Sequence, residues 1–490
     1  MYKYRDIKFY KNTKGRIMMK KRYKKIICCL VSIFSLILCS CSNAEKQVVT
    51  SQVSDSFEEY MYNTSKYSKK ENVNSEKTVH LLNGNQTVSL GTRNSAAITE
   101  DGTLYTWGYN KYGQLGNGTT ESSSIPIKIM DDVISVKFGE YYCSAITKQK
   151  ELYMWGINLY GNLGNGTTEN SSTPMKIMDD VEFVEFSGYS CSAITSDGIL
   201  YVWGDNSYGQ LGTVTSENTN IKNKNVNISS NPVKVMNNVK SVNLDGYCNS
   251  LITNDGSLYM WGINVYGQLG TGINEDNSTP IKIMDNIVSY EHNGHFCAAI
   301  SKNNELYMWG DNMDGQLGKG TEEKSFVPVK IMDNVEMVSL GYSHSVAITN
   351  DGSLYIWGDN GYGQLGIGKN ENNSLEYNVL NPIKIMDDIK SVKLVGNCSS
   401  AISQDGSLYM WGYNYNEWLG DIYTLYKITP IKITSNVKCA EFGSDNVAIV
   451  SSDNSLYIFG NNGYGTIGNG TTENSSTPIK IMDNVMLSSN

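Results

Sequence analysis

Histidine and proline are scarce in this chain, with four and eight among 490 residues. The histidines, His80, His292, His295 and His344, include one close pair, His292 with His295, without an acidic or His companion at ligand spacing, so that pair is expected at turns or the surface. No Cys-x2-Cys or Cys-x2-His spacing occurs, which removes the usual frameworks for a structural metal. Gly-x-Ser-x-Gly, the phosphate-cradling Walker loop and His-Glu-x-x-His are missing as well, so no catalytic motif, cofactor or metal is expected. Long apolar runs are also lacking. The 13-residue core Ile26–Leu38 falls short of the ~20 residues that span a bilayer. Basic side chains are few beyond residue 41, where 29 Lys and Arg face 48 Asp and Glu. A body with that charge repels phosphate, which disfavours nucleic acid as a partner.

The bases that do exist concentrate at the start: residues 1–41 carry 11 Lys and Arg and one acid. Lys20, Lys21, Arg22, Lys24 and Lys25 precede the apolar core, which ends in Leu38-Cys39-Ser40-Cys41 before a polar run. Basic region, short apolar core and small-residue exit make an export signal. The exit resembles a bacterial lipobox, which implies that Cys41 becomes the lipidated N-terminus; Cys39 fits less well because the bulky Leu38 precedes it. Met18 and Met19 each offer an alternative start. Residues 42–76 are polar, without a sustained apolar period, and suit a tether. The expected organisation is therefore a signal at 1–41, a tether at 42–76 and a repeat domain at 77–490, lipid-anchored on the outer face of a bacterial membrane.

The eight prolines, at 126, 174, 232, 280, 328, 382, 430 and 478, recur every 48 to 58 residues, one per repeat unit. Each unit holds four β-type stretches. The clearest copy runs from Val338-Ser-Leu340 through Ser345-Val-Ala-Ile-Thr349 and Leu354-Tyr-Ile-Trp-Gly358 to Pro382-Ile-Lys-Ile-Met386. Asp-Gly at 101–102, 197–198, 255–256, 351–352 and 405–406 supplies the positive φ of a tight hairpin. Asn303-Asn304 and Asp453-Asn454 tolerate that backbone, whereas Gln149-Lys150 is the poor copy. In Leu306-Tyr307-Met308-Trp309 both faces of the strand are apolar, so each small sheet must be covered on both sides. Stacking the sheets face to face in a closed ring does this, giving an all-β propeller of four-stranded antiparallel blades. Eight copies favour eight blades; seven blades with one unit packed outside is the alternative. Val79–Gly91 aligns with Val329–Gly341, leaving an extra N-terminal strand to place at the point of closure.

The segments Ser345-Val-Ala-Ile-Thr, Asp351-Gly-Ser-Leu-Tyr-Ile-Trp-Gly358 and Tyr362-Gly-Gln-Leu-Gly366 resemble the repeat of the regulator of chromosome condensation family, over residues 77–490. The resemblance implies a propeller, usually seven-bladed, and a binding role. Known members include a nuclear exchange factor, a plant photoreceptor and a secreted bacterial inhibitor of β-lactamase, of which the last shares an exported address. The expected function is non-catalytic binding of an extracellular or surface protein by a monomeric scaffold, with carbohydrate or cell-wall glycan as the alternative and a hydrolase third.

Binding residues should break the repeat symmetry. Unit three carries ten extra residues and unit six carries six, including Tyr377. Unit seven replaces Gln-Leu-Gly by Glu417-Trp418-Leu419-Gly420 and gathers Tyr413, Tyr415, Trp418, Tyr423 and Tyr426 within 14 residues. Aromatic side chains supply contact area at low entropic cost, so these six are the candidate binding residues. Core packing is the equal alternative for Trp418. Cys143, Cys191, Cys248, Cys297 and Cys398 fall near one recurring slot of the second strand, which reads as a site for small filler.

Overall fold

A computed structural model describes residues 85–213, 227–245, 248–369, 377–414, 419 and 424–487, together with a short antiparallel ladder of Tyr10–Lys11 with Ile17–Met18. The ladder lies in the unit Met1–Val73 and the blades in the unit Asn74–Asn490. The repeats form eight four-stranded antiparallel sheets, each running in sequence order from its first to its fourth strand. They make an eight-bladed β-propeller, which excludes the seven-plus-one arrangement. Blade one comprises Val88–Leu90, Asn94–Ile98, Leu104–Gly108 and Ser123–Met130, and blade eight comprises Val437–Phe442, Asn446–Ser451, Leu456–Gly460 and Ser475–Met482.

The core lies between blades rather than within them. Phe296, Leu306 and Met308 of blade five pack with Val338, Leu340 and Trp357 of blade six in one buried cluster. A fully buried Leu or Phe contributes about 1.5–3 kcal/mol, so an unstacked blade would forfeit that on each side. A polar clamp repeats at the same joints. The carbonyl of Gln316 accepts from both Trp357 Nε1 (2.8 Å) and Ser345 Oγ (2.8 Å) of the next blade. Gln210 serves Trp261 Nε1 and Asn249 Nδ2, and Gln268 serves Trp309 Nε1 and Cys297 Sγ. The slot taken to hold filler is therefore a donor position: Cys191 and Cys297 occupy it as weak donors, equivalent to Ser95 and Ser399. Cys248 and Cys398 instead open their second strands; both are buried. Blade eight carries Val447 and Phe459 at the two donor positions, so its joint with blade seven lacks this clamp and is held by apolar contacts together with the Lys393 to Glu441 ion pair (3.1 Å).

Closure divides one strand between the two termini. Val88–Leu90 pairs with Ala97 to Ser95 of the second strand. The remainder of that slot is filled from the far end of the chain, where Val485 bridges Thr99 and Met486 N–H donates to Ile98 O (2.8 Å). Val88 and Val485 then share one apolar cluster with Trp107 and with Ile458 of blade eight. Val88–Leu90 is thus the first strand of blade one; residues 79–84, on which the extra N-terminal strand would fall, lie outside the described ones. The hairpin that lacked turn chemistry forms nonetheless: Lys150 adopts φ 63°, beside Asn304 at 58° and Asn454 at 62°. At Lys150 the left-handed backbone is bought with strain, about 1 kcal/mol for a residue with a Cβ.

Candidate binding face

Antiparallel order places the loops between strands one and two and between strands three and four at one end of every blade, which we call the loop face. The hairpins between strands two and three and the turns joining blades lie at the other end. Ion pairs occupy that opposite face. Lys176 reaches Glu151 (2.6 Å) and Asp179 (2.7 Å), and Lys330 reaches Glu305 and Asp333 in the same way. The hydrogen bond from Asp179, then that from Glu151, raises the Lys176 ammonium above its ordinary value. Such exposed pairs are screened by water and contribute little to stability.

The loops after strand three are built on a buried asparagine. In blade one, Asn110 Oδ1 accepts Leu115 N–H (2.8 Å), while its Nδ2 donates to the carbonyls of Thr119 and Glu121. Asn158, Asn264 and Asn462 repeat the pattern. Gly116 follows at φ 78°, where an added Cβ would lie 2.6 Å from Trp155 Nε1. These loops are stiffened from within, so their outward side chains lose little further freedom on binding.

Those outward side chains are apolar and aromatic. Leu159, Tyr208, Val265 and Met313 are exposed, Met313 to 65%. A tyrosine tract crosses the point where the ring closes: Tyr464 meets Tyr109 at 5.3 Å between centroids, Tyr109 meets Tyr112 at 6.5 Å, and Tyr112 meets Tyr141 at 5.3 Å, all edge-on. The Arg93 guanidinium lies over Tyr464 (4.6 Å) and Tyr109 (5.6 Å). Burial pushes the Tyr109 hydroxyl above its ordinary value, so it remains a neutral hydrogen-bonding group at physiological pH. Further pairs sit at other joints, Tyr160 with Tyr189 and Tyr266 with His295.

Of the candidate residues read from sequence, Tyr413 belongs to this face and packs edge-on against Tyr362 (5.1 Å) of the preceding blade. Tyr426 is its backbone partner across the ladder and is exposed. Tyr377 is partly buried, and its raised hydroxyl pKa follows from that burial. Tyr415, Trp418 and Tyr423 lie outside the described residues, as does Cys41. Sequence reasoning missed the Tyr464 to Tyr141 tract. Its one signal was the residue after the third strand's Gly, which is Tyr at 109 and 413 but Asp at 205, 311 and 359.

One histidine departs from the surface or turn position expected. His292 is fully buried, and its Nδ1 lies 3.2 Å from Asp245 Oδ2, a companion 47 positions away that only the blade stacking brings close. His344 Nε2 lies 3.1 Å from Ser399 Oγ, the spacing of a nucleophile and its base. The pair is sealed in the core, and the Ser399 hydroxyl donates to the Gln364 carbonyl (2.8 Å). Its proton is committed, so His344 Nε2–H donates to Ser399 and the imidazole cannot act as its base. Burial lowers the His344 pKa to about 3, which keeps it neutral. Among the described residues no group of three or more His, Cys, Asp or Glu is disposed to hold a metal ion.

Comparison with known proteins gives the same fold from independent directions. The RCC1-like domain profile matches residues 238–488, and the regulator of chromosome condensation (RCC1) repeat profiles match 86–114, 101–146, 151–193 and 197–243. Human E3 ubiquitin-protein ligase HERC2 is 48% identical over 42 residues, 9% of this chain and 1% of that protein. Arabidopsis thaliana ultraviolet-B receptor UVR8 is 41% identical over 56 residues, 11% of this chain and 13% of the receptor. The chain thus matches only a small part of these relatives. Among solved structures, Saccharomyces cerevisiae Prp20p, described with binding properties to Gsp1p and histones, superposes with TM-score 0.52 at 20% identity, covering 76% of this chain and 92% of its own. Human WBSCR16 gives 0.51 at 17% identity, covering 78% and 94%.

Proposed function

Because this chain belongs to the regulator of chromosome condensation repeat family, we propose that it is a binding scaffold without catalysis, exported and lipid-anchored through Cys41, whose loop face engages an extracellular protein. The observation that carries this reading is the contrast between the two ends of the blades, one closed by ion pairs and the other presenting aromatic and apolar side chains. Rigid aromatic surface is what protein interfaces use for their central contacts. The address rests on the basic region, the short apolar core and Leu38-Cys39-Ser40-Cys41. It follows that Cys41→Ser abolishes labelling by a palmitate analogue and releases the chain from membranes. Unchanged labelling would refute the anchor at that residue.

The binding reading is tested by pull-down with the full chain against surface and secreted proteins, repeated with Tyr362→Ala and Tyr413→Ala. Loss of the captured partner is expected; full retention by both variants would count against the loop face. Exposed Tyr208 and Tyr362 rings also suit stacking on sugars, which makes glycan binding the second reading. Sedimentation with purified peptidoglycan distinguishes the two.

A further inference from the structure

We propose that the partner presented to the loop face is a basic polypeptide, a protein segment rich in arginine and lysine; this rests on the reading that the loop face is the binding surface. The first observation is charge. The described loops of this face, between strands one and two and between strands three and four, carry thirteen Asp and Glu against five Lys and Arg, and Asp205 at the loop end of a third strand adds one more acid. The carboxylates are unevenly placed. Asp205, Asp311 and Asp359 follow the glycine of the third strand in blades three, five and six, where blades one and seven have Tyr109 and Tyr413. An acidic sector with the apolar knobs Tyr208, Val265 and Met313 therefore adjoins an aromatic sector centred on Tyr464 and Tyr109.

The second observation is that the face already holds internal copies of the contact proposed. The Arg93 guanidinium lies over Tyr464 and Tyr109. Lys324 Nζ lies 4.4 Å from the Tyr266 ring centroid and 3.6 Å from Asp311 Oδ1, a cation held between a π face and a carboxylate. Each such stacking is weak while exposed and strengthens once a bound segment excludes water from it. Carboxylates around the rings steer a cationic segment in and reject an anionic one. A polyanion such as nucleic acid or teichoic acid meets repulsion on the same surface.

The test titrates the full chain with nona-arginine and, as control, nona-glutamate, at low and at physiological salt. The expected result is binding of nona-arginine alone, weakened about tenfold or more as salt rises through the range where the Debye length shrinks to about 8 Å. Two loop-face double variants, Tyr109→Ala with Tyr464→Ala and Asp205→Asn with Asp359→Asn, are each expected to weaken it about fivefold or more. A double variant of the opposite face, Asp131→Asn with Asp179→Asn, should stay within about twofold. The isosteric Asn pair preserves shape, so it remains informative if the Tyr pair unfolds. Equal losses from both faces would reduce the effect to general attraction for a polycation and overturn the proposal, as would absence of binding. A natural partner lost with the loop-face variants while nona-arginine fails to bind would leave the binding face standing and remove its basic specificity.

Discussion

The two ends of the propeller are built from the same repeat and have diverged in opposite ways. At the hairpin end, blade after blade keeps the same lysine-to-aspartate pair, as in Lys282 with Asp285 and Lys480 with Asp483. At the loop end the buried asparagine is retained while the residue after it varies from Leu159 to Ser207 to Val265 to Met313. A repeat that holds its internal hydrogen bonds and lets one surface vary has separated the scaffold from what the scaffold displays. Mutations should divide along the same line, with joint residues acting on stability and loop residues acting on binding.

The largest expected effect is at a joint. Trp309→Ala removes a fully buried indole and strips a donor from the Gln268 carbonyl, so it should cost about 3–5 kcal/mol in denaturant unfolding. Tyr362→Ala on the loop face should stay within about 1 kcal/mol. Comparable losses from the two would erase the distinction. Next comes His344, whose folded pKa of about 3 lies below the ordinary 6.5 because of burial. The unfolded chain takes up a proton below pH 6.5 while the folded one does not, so stability falls as pH drops from 6.5 towards 3, by about 3–5 kcal/mol in total. His344→Asn, which adopts the residue found in the same slot at Asn94 and Asn446, should flatten that part of the pH profile; an unchanged profile would show that the acid lability lies elsewhere.

Smaller effects sharpen the comparison among joints. Trp309→Phe keeps the ring but leaves Gln268 O with only the weak Cys297 Sγ donor, at a cost of about 1–2 kcal/mol. Conversely, Lys150→Asn relieves the left-handed lysine and should stabilise the chain by up to about 1 kcal/mol, less whatever the exposed Lys150 to Glu182 pair contributes. A loss of stability there would mean that the ion pair outweighs the strained backbone.

Much of the fold was legible because the repeat writes its chemistry eight times. One proline per unit, Asp-Gly turns and strands apolar on both faces lead to stacked blades without any long-range information. The seven-or-eight ambiguity was different. Its resolution depends on Val485 reaching Thr99, a contact between the ends of the chain that no local pattern encodes. The binding face was legible only in part for the same reason. Tyr413 stood out as a departure from its unit, but Tyr464 and Tyr109 each look ordinary in sequence and become a tract only when ring closure sets them 5.3 Å apart. The donor slot of Ser345 was read as filler because its acceptor, Gln316 O, lies in the preceding blade.

The division between scaffold and display is tested most directly by amide hydrogen exchange of the full chain with and without nona-arginine. Protection confined to the loop face, above all residues 109–122 and 359–369, is the predicted result. Protection concentrated on the hairpins and inter-blade turns, around 100–102, 131–132 and 179–180, would contradict the account.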